Sequence, residues 1–190
     1  MSRSSIAWIG TILAAALVVV LAWQNRGLRA DRDWLSDRAH YAYPGMYVPE
    51  IGVDSLQGEK LALGSPAGDF QVLFFFNETC PHCRASAPAV SALAPVLRDA
   101  FAGRVALVGI CECDAAAARR YADAQRFDFP VASLRDRRAL MLFRAQNVPL
   151  LLVIDRDGRV RHAVQGTFST QAQRDALLAA LRRSPVPPGS

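Results

Sequence analysis

The chain has 190 residues, 52% of them hydrophobic, which supports one packed domain plus an appendage and excludes a disordered or fibrous protein. Its formal charge of +5 is almost wholly arginine, Lys60 being the lone lysine, and the basic residues are interleaved with acidic ones; without a basic stripe, nucleic acid is not an expected partner. Four cysteines are too few for a disulfide-stapled scaffold, and their spacing, Cys80-x-x-Cys83 and Cys111-x-Cys113, points to chemistry.

Ile6 to Trp23 carries no charge and as a helix spans roughly 27 Å, enough to cross a bilayer. A cleaved signal peptide is the alternative. However, the small residues Ala14, Ala15 and Ala16 lie mid-run with no small-x-small site at the end, so residues 1–25 are expected to be an uncleaved anchor in the lipid bilayer through residues 6–23. Trp8 and Trp23 stand near its ends, as interfacial aromatics do. Arg26, Arg29, Arg32 and Arg38 follow the run while Arg3 and the amino terminus precede it, an asymmetry that argues for a cytoplasmic C-terminus. Asp31, Asp33 and Asp37 dilute that cluster, and the thiol chemistry suits an oxidising compartment. The expected location is therefore the cytoplasmic membrane, single-pass, with the domain in the periplasm or outside the cell.

Residues 26–45 read as a charged, partly helical tether, and residues 46–184 as the domain. Short apolar stretches flanking Gln57-Gly58-Glu59 predict a hairpin between Val48 and Leu63. Phe70 to Phe76 is a continuous apolar run, the pattern of a strand buried on both faces. Residues 81–101 have helical spacing with a kink expected from Pro88. Arg104 to Ile110 reads as a second buried strand, and Asp114 caps a helix to about Phe127. Phe129 to Ala132 is a short strand candidate, and Asp136 caps a helix through Gln146. Val148-Pro149 forces extended backbone before the apolar run 150–154. Asp155 to Gly158 is a hairpin turn, Arg159 to Val164 the return strand, and Thr170 to Arg183 a final helix before a Pro-rich tail at 185–190, expected to be frayed. This order predicts an α/β fold, a central mixed sheet with helices on both faces, preceded by a β-hairpin and a transmembrane helix.

A dithiol at i and i+3 that follows a buried strand and opens a helix places the first sulfur at the helix N-terminus. There, unpaired N–H groups and the macrodipole favour a thiolate. Pro81 is tolerated at the first helical position, and a protonated or N–H-donating His82 would further stabilise the Cys80 thiolate. Zinc held by all four cysteines is disfavoured because Cys83 runs into Arg84-Ala85-Ser86-Ala87, a helix and not a glycine-turned loop. Haem attachment would want His where Arg84 stands. No cofactor is expected; the competing reading is a metal-binding or metallochaperone module in which Cys80/Cys83 and Cys111/Cys113, with His82, hold copper or zinc. Cys111 and Cys113 follow the second buried strand, whose end should share a crevice with the first, so they read either as a second redox pair or metal holder, or as core residues. His40 and His162 read as solvated.

Phe-Phe-Phe-Asn-Glu-Thr-Cys-Pro-His-Cys, Pro88, Asn147-Val148-Pro149 and Ile154-Asp155-Arg156-Asp157-Gly158 together resemble the thioredoxin-like fold. The leading hairpin and anchor are similar to the TlpA/ResA group of membrane-tethered bacterial thioredoxins, over roughly residues 46 to 183. The resemblance implies a thiol–disulfide oxidoreductase in which Cys80 attacks, Cys83 resolves, Pro149 is a cis-proline facing the disulfide, and Val148 offers backbone hydrogen bonds to a substrate peptide. Its partners would be protein thiols or disulfides and a membrane electron donor or acceptor, with cytochrome c maturation, metal-centre assembly and general disulfide formation all open as processes. Departures are Thr79 in place of the usual tryptophan, Phe74 in place of thioredoxin's acidic proton relay, and Ser86 in place of the acidic residue of the ResA type. Glu78 is the alternative candidate acid or base. With Cys-Pro-His-Cys replacing the Cys-Pro-Pro-Cys or Cys-Glu-Pro-Cys of many reductive relatives, these departures leave the direction of electron flow open.

Overall fold

The computed structural model describes residues 3–182, so the tail expected at 185–190 lies outside the described residues. The chain divides into two units, residues 1–40 and 41–190. The first is a single helix, α1 (Arg3–His40). The charged stretch after Trp23, read as a part-helical tether, is helical through His40; no proline interrupts it before Pro44. Among the described residues α1 is the one helix long and apolar enough to cross a membrane.

The second unit opens with a hairpin, β1 (Ile51–Asp54) against β2 (Lys60–Leu63). A five-stranded sheet follows, built from β3 (Phe70–Phe76), β4 (Val105–Cys111), β5 (Val131–Ser133), β6 (Leu150–Asp155) and β7 (Val160–Gln165) in the order β5-β4-β3-β6-β7. The pairs β3–β4 and β4–β5 are parallel, whereas β6 runs antiparallel to both β3 and β7. Between them lie α2 (Pro81–Ser91), α3 (Leu93–Phe101), α4 (Ala115–Ala124), α5 (Arg137–Leu142) and finally α6 (Gln171–Arg182). The sheet is thus mixed and covered on both faces, as the sequence predicts.

All seven residues of β3 are buried. Alternation along the strand sends Phe70, Val72, Phe74 and Phe76 into one apolar cluster, with α2, α3, α4 and α6, and Leu73 and Phe75 into the other, with α5. Gln71, the one polar residue of the run, binds the hairpin to the sheet: its Oε1 accepts from Gly64 N at 2.9 Å and its Nε2 donates to Ala62 O at 2.9 Å. Gly64 has φ +83° and a Cβ there would lie 2.4 Å from Pro49 O, so the turn requires glycine. The hairpin also covers the sheet edge, where Leu56 N donates to Val131 O at 2.7 Å.

Several boundaries differ from expectation. The helical stretch runs through Pro88 and divides at Ala92, where Pro95 lacks the N–H that would bond back to Ser91 O. The helices expected to reach Phe127 and Gln146 stop at Ala124 and Leu142, and Arg126 (φ 54°) and Arg144 (φ 57°) take the left-handed conformation that turns the chain away. His162, expected to be solvated, is half-buried on β7, and burial holds its imidazole below the ordinary histidine value.

Replacing Gln71 by Leu removes both hairpin bonds and strands a buried N–H. The expected cost is about 1–3 kcal/mol, read as a lower urea midpoint with unchanged m-value for the full chain in detergent.

Candidate active site

The end of β3 delivers Asn77, Glu78 and Thr79 into a turn closed by Cys80 N donating to Asn77 O at 3.2 Å. Cys80 is the N-cap of α2 and Pro81 occupies its first turn, where the absent N–H leaves nothing unpaired. The Cys80 sulfur accepts from the backbone N–H of Cys83 at 3.2 Å, so a helix-terminal donor faces that sulfur. Cys80 is half-buried; Cys83, one turn deeper, is fully buried. Burial, reinforced by the neighbouring Cys80 thiol, pushes the Cys83 thiol up to about 12.

Facing this sulfur is the loop before β6. The Val148–Pro149 peptide bond is cis, and Cys80 Sγ lies 3.7 Å from Val148 O, within reach of a weak S–H donation. Pro149 O is held by Gly166 N at 2.9 Å, which ties the loop to the end of β7. Cys80, Cys83, Val148 and Pro149 therefore converge.

Of the two parts expected of His82, the hydrogen bond to sulfur is not the one its ring makes. Its Nδ1 lies 3.2 Å from Thr167 Oγ1, at the surface, and not against a sulfur; any effect on the Cys80 thiolate acts through charge and not through a hydrogen bond. The helix turn that presents His82 also carries Ser86, whose buried Oγ donates to His82 O at 2.8 Å and accepts from Phe168 N at 2.9 Å. Ser86 thus locks α2 to the 166–169 segment where an acidic residue was looked for.

The second cysteine pair lies at the end of β4 and just after it, Cys111 being the last residue of the strand and paired in register with Phe76 of β3. Cys111 and Cys113 are joined by a disulfide, Cα–Cα 5.2 Å, and both are buried. Glu78 Oε2 lies 4.0 Å from Cys111 Sγ, so this carboxylate attends the second pair. The four-cysteine metal arrangement weighed from the sequence is not the one gathered. Among the described residues, the potential ligands brought within 4.8 Å of one another are Glu78, Cys111 and Cys113.

Two residues escaped sequence reasoning. Asn77 bridges the two cysteine turns, donating from Nδ2 to Glu112 O at 2.9 Å while its Oδ1 accepts from Thr79 N and Oγ1. Its position directly after a buried strand was the available signal. Tyr121 of α4 stacks on Phe76 with ring centroids 4.9 Å apart, its hydroxyl buried without a hydrogen-bond partner among the described residues. Burial first, then the nearby Cys83, pushes its phenol up to about 12. No sequence pattern marked it.

Residues 44–163 match the profile of the AhpC/TSA family. The chain belongs to the AhpC/TSA family. The thioredoxin-like protein YneN of Bacillus subtilis is 24% identical over 175 residues, covering 90% of this chain and 96% of that one. Among solved structures, a protein assigned as the thiol:disulfide interchange protein DsbE of Chlorobium tepidum superposes with TM-score 0.63 at 19% identity, over 74% of this chain and 99% of its own. StoA of Bacillus subtilis gives TM-score 0.59 at 14% identity, over 72% and 99%. This AhpC/TSA member accordingly has a thioredoxin-like fold.

The contrast between the two thiols is directly measurable. In the reduced protein at pH 8, iodoacetamide is expected to modify Cys80 and spare Cys83. The buried thiol stays protonated far below about 12 and becomes reactive only on unfolding, which peptide mass mapping resolves.

Proposed function

We propose that this protein is a membrane-anchored, extracytoplasmic thiol–disulfide oxidoreductase that exchanges disulfides with protein substrates through Cys80-Pro81-His82-Cys83. The observation that carries the reading is the placement of Cys80 Sγ between the Cys83 N–H at 3.2 Å and the carbonyl of Val148 at 3.7 Å, with Cys83 buried behind it. An accessible sulfur at a helix N-terminus is a nucleophile; a buried one a turn deeper is a resolving thiol.

In the reductive direction, the Cys80 thiolate attacks one sulfur of a substrate disulfide. That bond breaks, a mixed disulfide forms, and the departing substrate sulfur takes up a proton. Cys83 then loses its proton and attacks Cys80 Sγ, releasing the second substrate thiol and leaving Cys80–Cys83 oxidised. The oxidative direction reverses each step. Val148 and cis-Pro149 would align the substrate peptide beside the sulfur, and a membrane electron donor or acceptor would regenerate the resting state. The apolar half of α1 supports anchoring of the chain at the bilayer, and a redox-active dithiol suits the oxidising side.

Cys83→Ser is expected to accumulate a mixed disulfide at Cys80 with substrate protein, visible on a non-reducing gel, whereas Cys80→Ser accumulates none and loses insulin-reduction activity by at least about 100-fold. The reduction potential against glutathione assigns direction: near −120 mV for an oxidant, near −270 mV for a reductant, the approximate values of DsbA and thioredoxin. For the anchor, the protein recovered from membranes is expected to retain its N-terminal residues by intact mass, and a membrane-impermeant maleimide is expected to label Cys80 in intact cells with a permeabilised outer layer. A mass lacking the first 25 residues or so would replace the anchor by a signal peptide.

A further inference from the structure

The exchange cycle uses two of the four cysteines. The other two close a ring with one residue between them, and a cross-link over so short a loop removes little freedom from the unfolded chain. Stability is therefore a poor reason for this bond. Its location is more telling. Because β3 and β4 are parallel neighbours with Phe76 paired to Cys111, the turns that follow them emerge at one edge of the sheet. They are stitched together: Glu112 N donates to Phe76 O at 2.8 Å, Asn77 Nδ2 donates to Glu112 O at 2.9 Å, and Glu78 Oε2 rests 4.0 Å from Cys111 Sγ. Glu78 precedes Cys80 by two residues, a reach of at most about 7 Å between their Cα atoms. Cys83, Cys111 and Cys113 belong to one apolar cluster, and Cys80 packs against it.

Access decides who can reduce the second bond. Cys111 is 0% and Cys113 6% exposed, so a folded substrate protein has no open path to either sulfur, whereas the Cys80/Cys83 dithiol is joined to the same apolar cluster. We propose that Cys111–Cys113 is a second redox centre, loaded and unloaded through Cys80 and Cys83, so that the domain stores four electrons and not two. This rests on the exchange function proposed above. In the internal step the Cys80 thiolate attacks one sulfur of the Cys111–Cys113 bond, which breaks, and the other sulfur leaves as a thiolate and is protonated. Cys83 then gives up its proton and attacks Cys80 Sγ, freeing the second sulfur. The Cys80/Cys83 pair is oxidised by two electrons, the Cys111/Cys113 pair is reduced by two, and protons balance. Glu78, against Cys111, is the carboxylate positioned to relay them.

The test is a thiol count on the full chain in detergent. Fully oxidised protein is treated with reduced thioredoxin, a protein dithiol too large to enter the cluster, then acid-quenched, labelled with maleimide and weighed. The wild-type chain is expected to yield four thiols, Cys111→Ser/Cys113→Ser two, and Cys80→Ser/Cys83→Ser none on the same timescale, its remaining pair reacting at least about 100-fold more slowly while still opening to phosphine after unfolding. Glu78→Gln is expected to slow the appearance of the third and fourth thiols without delaying the first two. A wild-type count that stops at two, with Cys111 and Cys113 still bonded, would make the bond an inert cross-link and overturn the proposal. So would reduction of Cys111–Cys113 at the wild-type rate in Cys80→Ser/Cys83→Ser, which would mean direct access. Isolation of Cys111 and Cys113 as a dithiol holding one equivalent of zinc with Glu78 would overturn it in favour of a metal site. A count of zero in both the wild type and Cys111→Ser/Cys113→Ser would instead defeat the exchange function itself, and with it this extension.

Discussion

A seven-residue strand with every side chain buried must be clothed on both faces and both edges, and that demand of β3 organises the domain. Parallel pairing with β4 requires a crossover, which α2 and α3 supply on one face; antiparallel pairing with β6 closes the other edge. The four alternating residues Phe70, Val72, Phe74 and Phe76 hold one helical layer, and Leu73 and Phe75 the other. Burial of this strand also determines where the chain is released. Its last residue, Phe76, is committed to the core, so Asn77 is the first free to turn.

The chemistry follows from that release point. A helix starting at Pro81 aims its unpaired N–H groups at the residue before it, and Cys80 is that residue. The loop carrying cis-Pro149 reaches the same place only because β6 pairs antiparallel to β3 and begins opposite its end, Phe75 facing Leu150. One sulfur thus sits half-buried in a polar cradle and its partner in an apolar interior, the difference in environment on which the proposed attacking and resolving roles rest. Phe74, which the thioredoxin resemblance sets in place of an acidic proton relay, shares the apolar cluster of Cys83 and packs with Phe76 and Phe127. The interior below Cys83 is therefore aromatic, with the Tyr121 hydroxyl as a polar group beside it.

The parallel pairing has a second consequence. Placing the end of β4 beside the end of β3 brings a second pair of sulfurs into the apolar cluster that holds Cys83, and Asn77 fastens the two turns with one side chain. Glu78, a plausible partner for either pair from its position alone, is directed to Cys111 because it follows Asn77 in a turn that leans toward β4.

Much of this was legible in the residues. Predominantly apolar runs marked β3, β4 and β6, Asp114 and Asp136 announced two helix starts through their capping carboxylates, and Asp155 to Gly158 announced the hairpin turn. The dithiol followed from C-x-x-C between strand and helix, since capping is local and reads from neighbours in sequence. Helix ends were less legible: Arg126 and Arg144 adopt left-handed conformations without the glycine that usually signals them. What only tertiary structure decided were the contacts made across the chain, over separations of 33 to 85 residues: His82 turned to Thr167, Ser86 bonded to Phe168, Glu78 set against Cys111, and Asn77 bridging to Glu112. Spacing along a sequence specifies which groups share a face, whereas which group across the fold meets them depends on strand order and register, which no local pattern encodes.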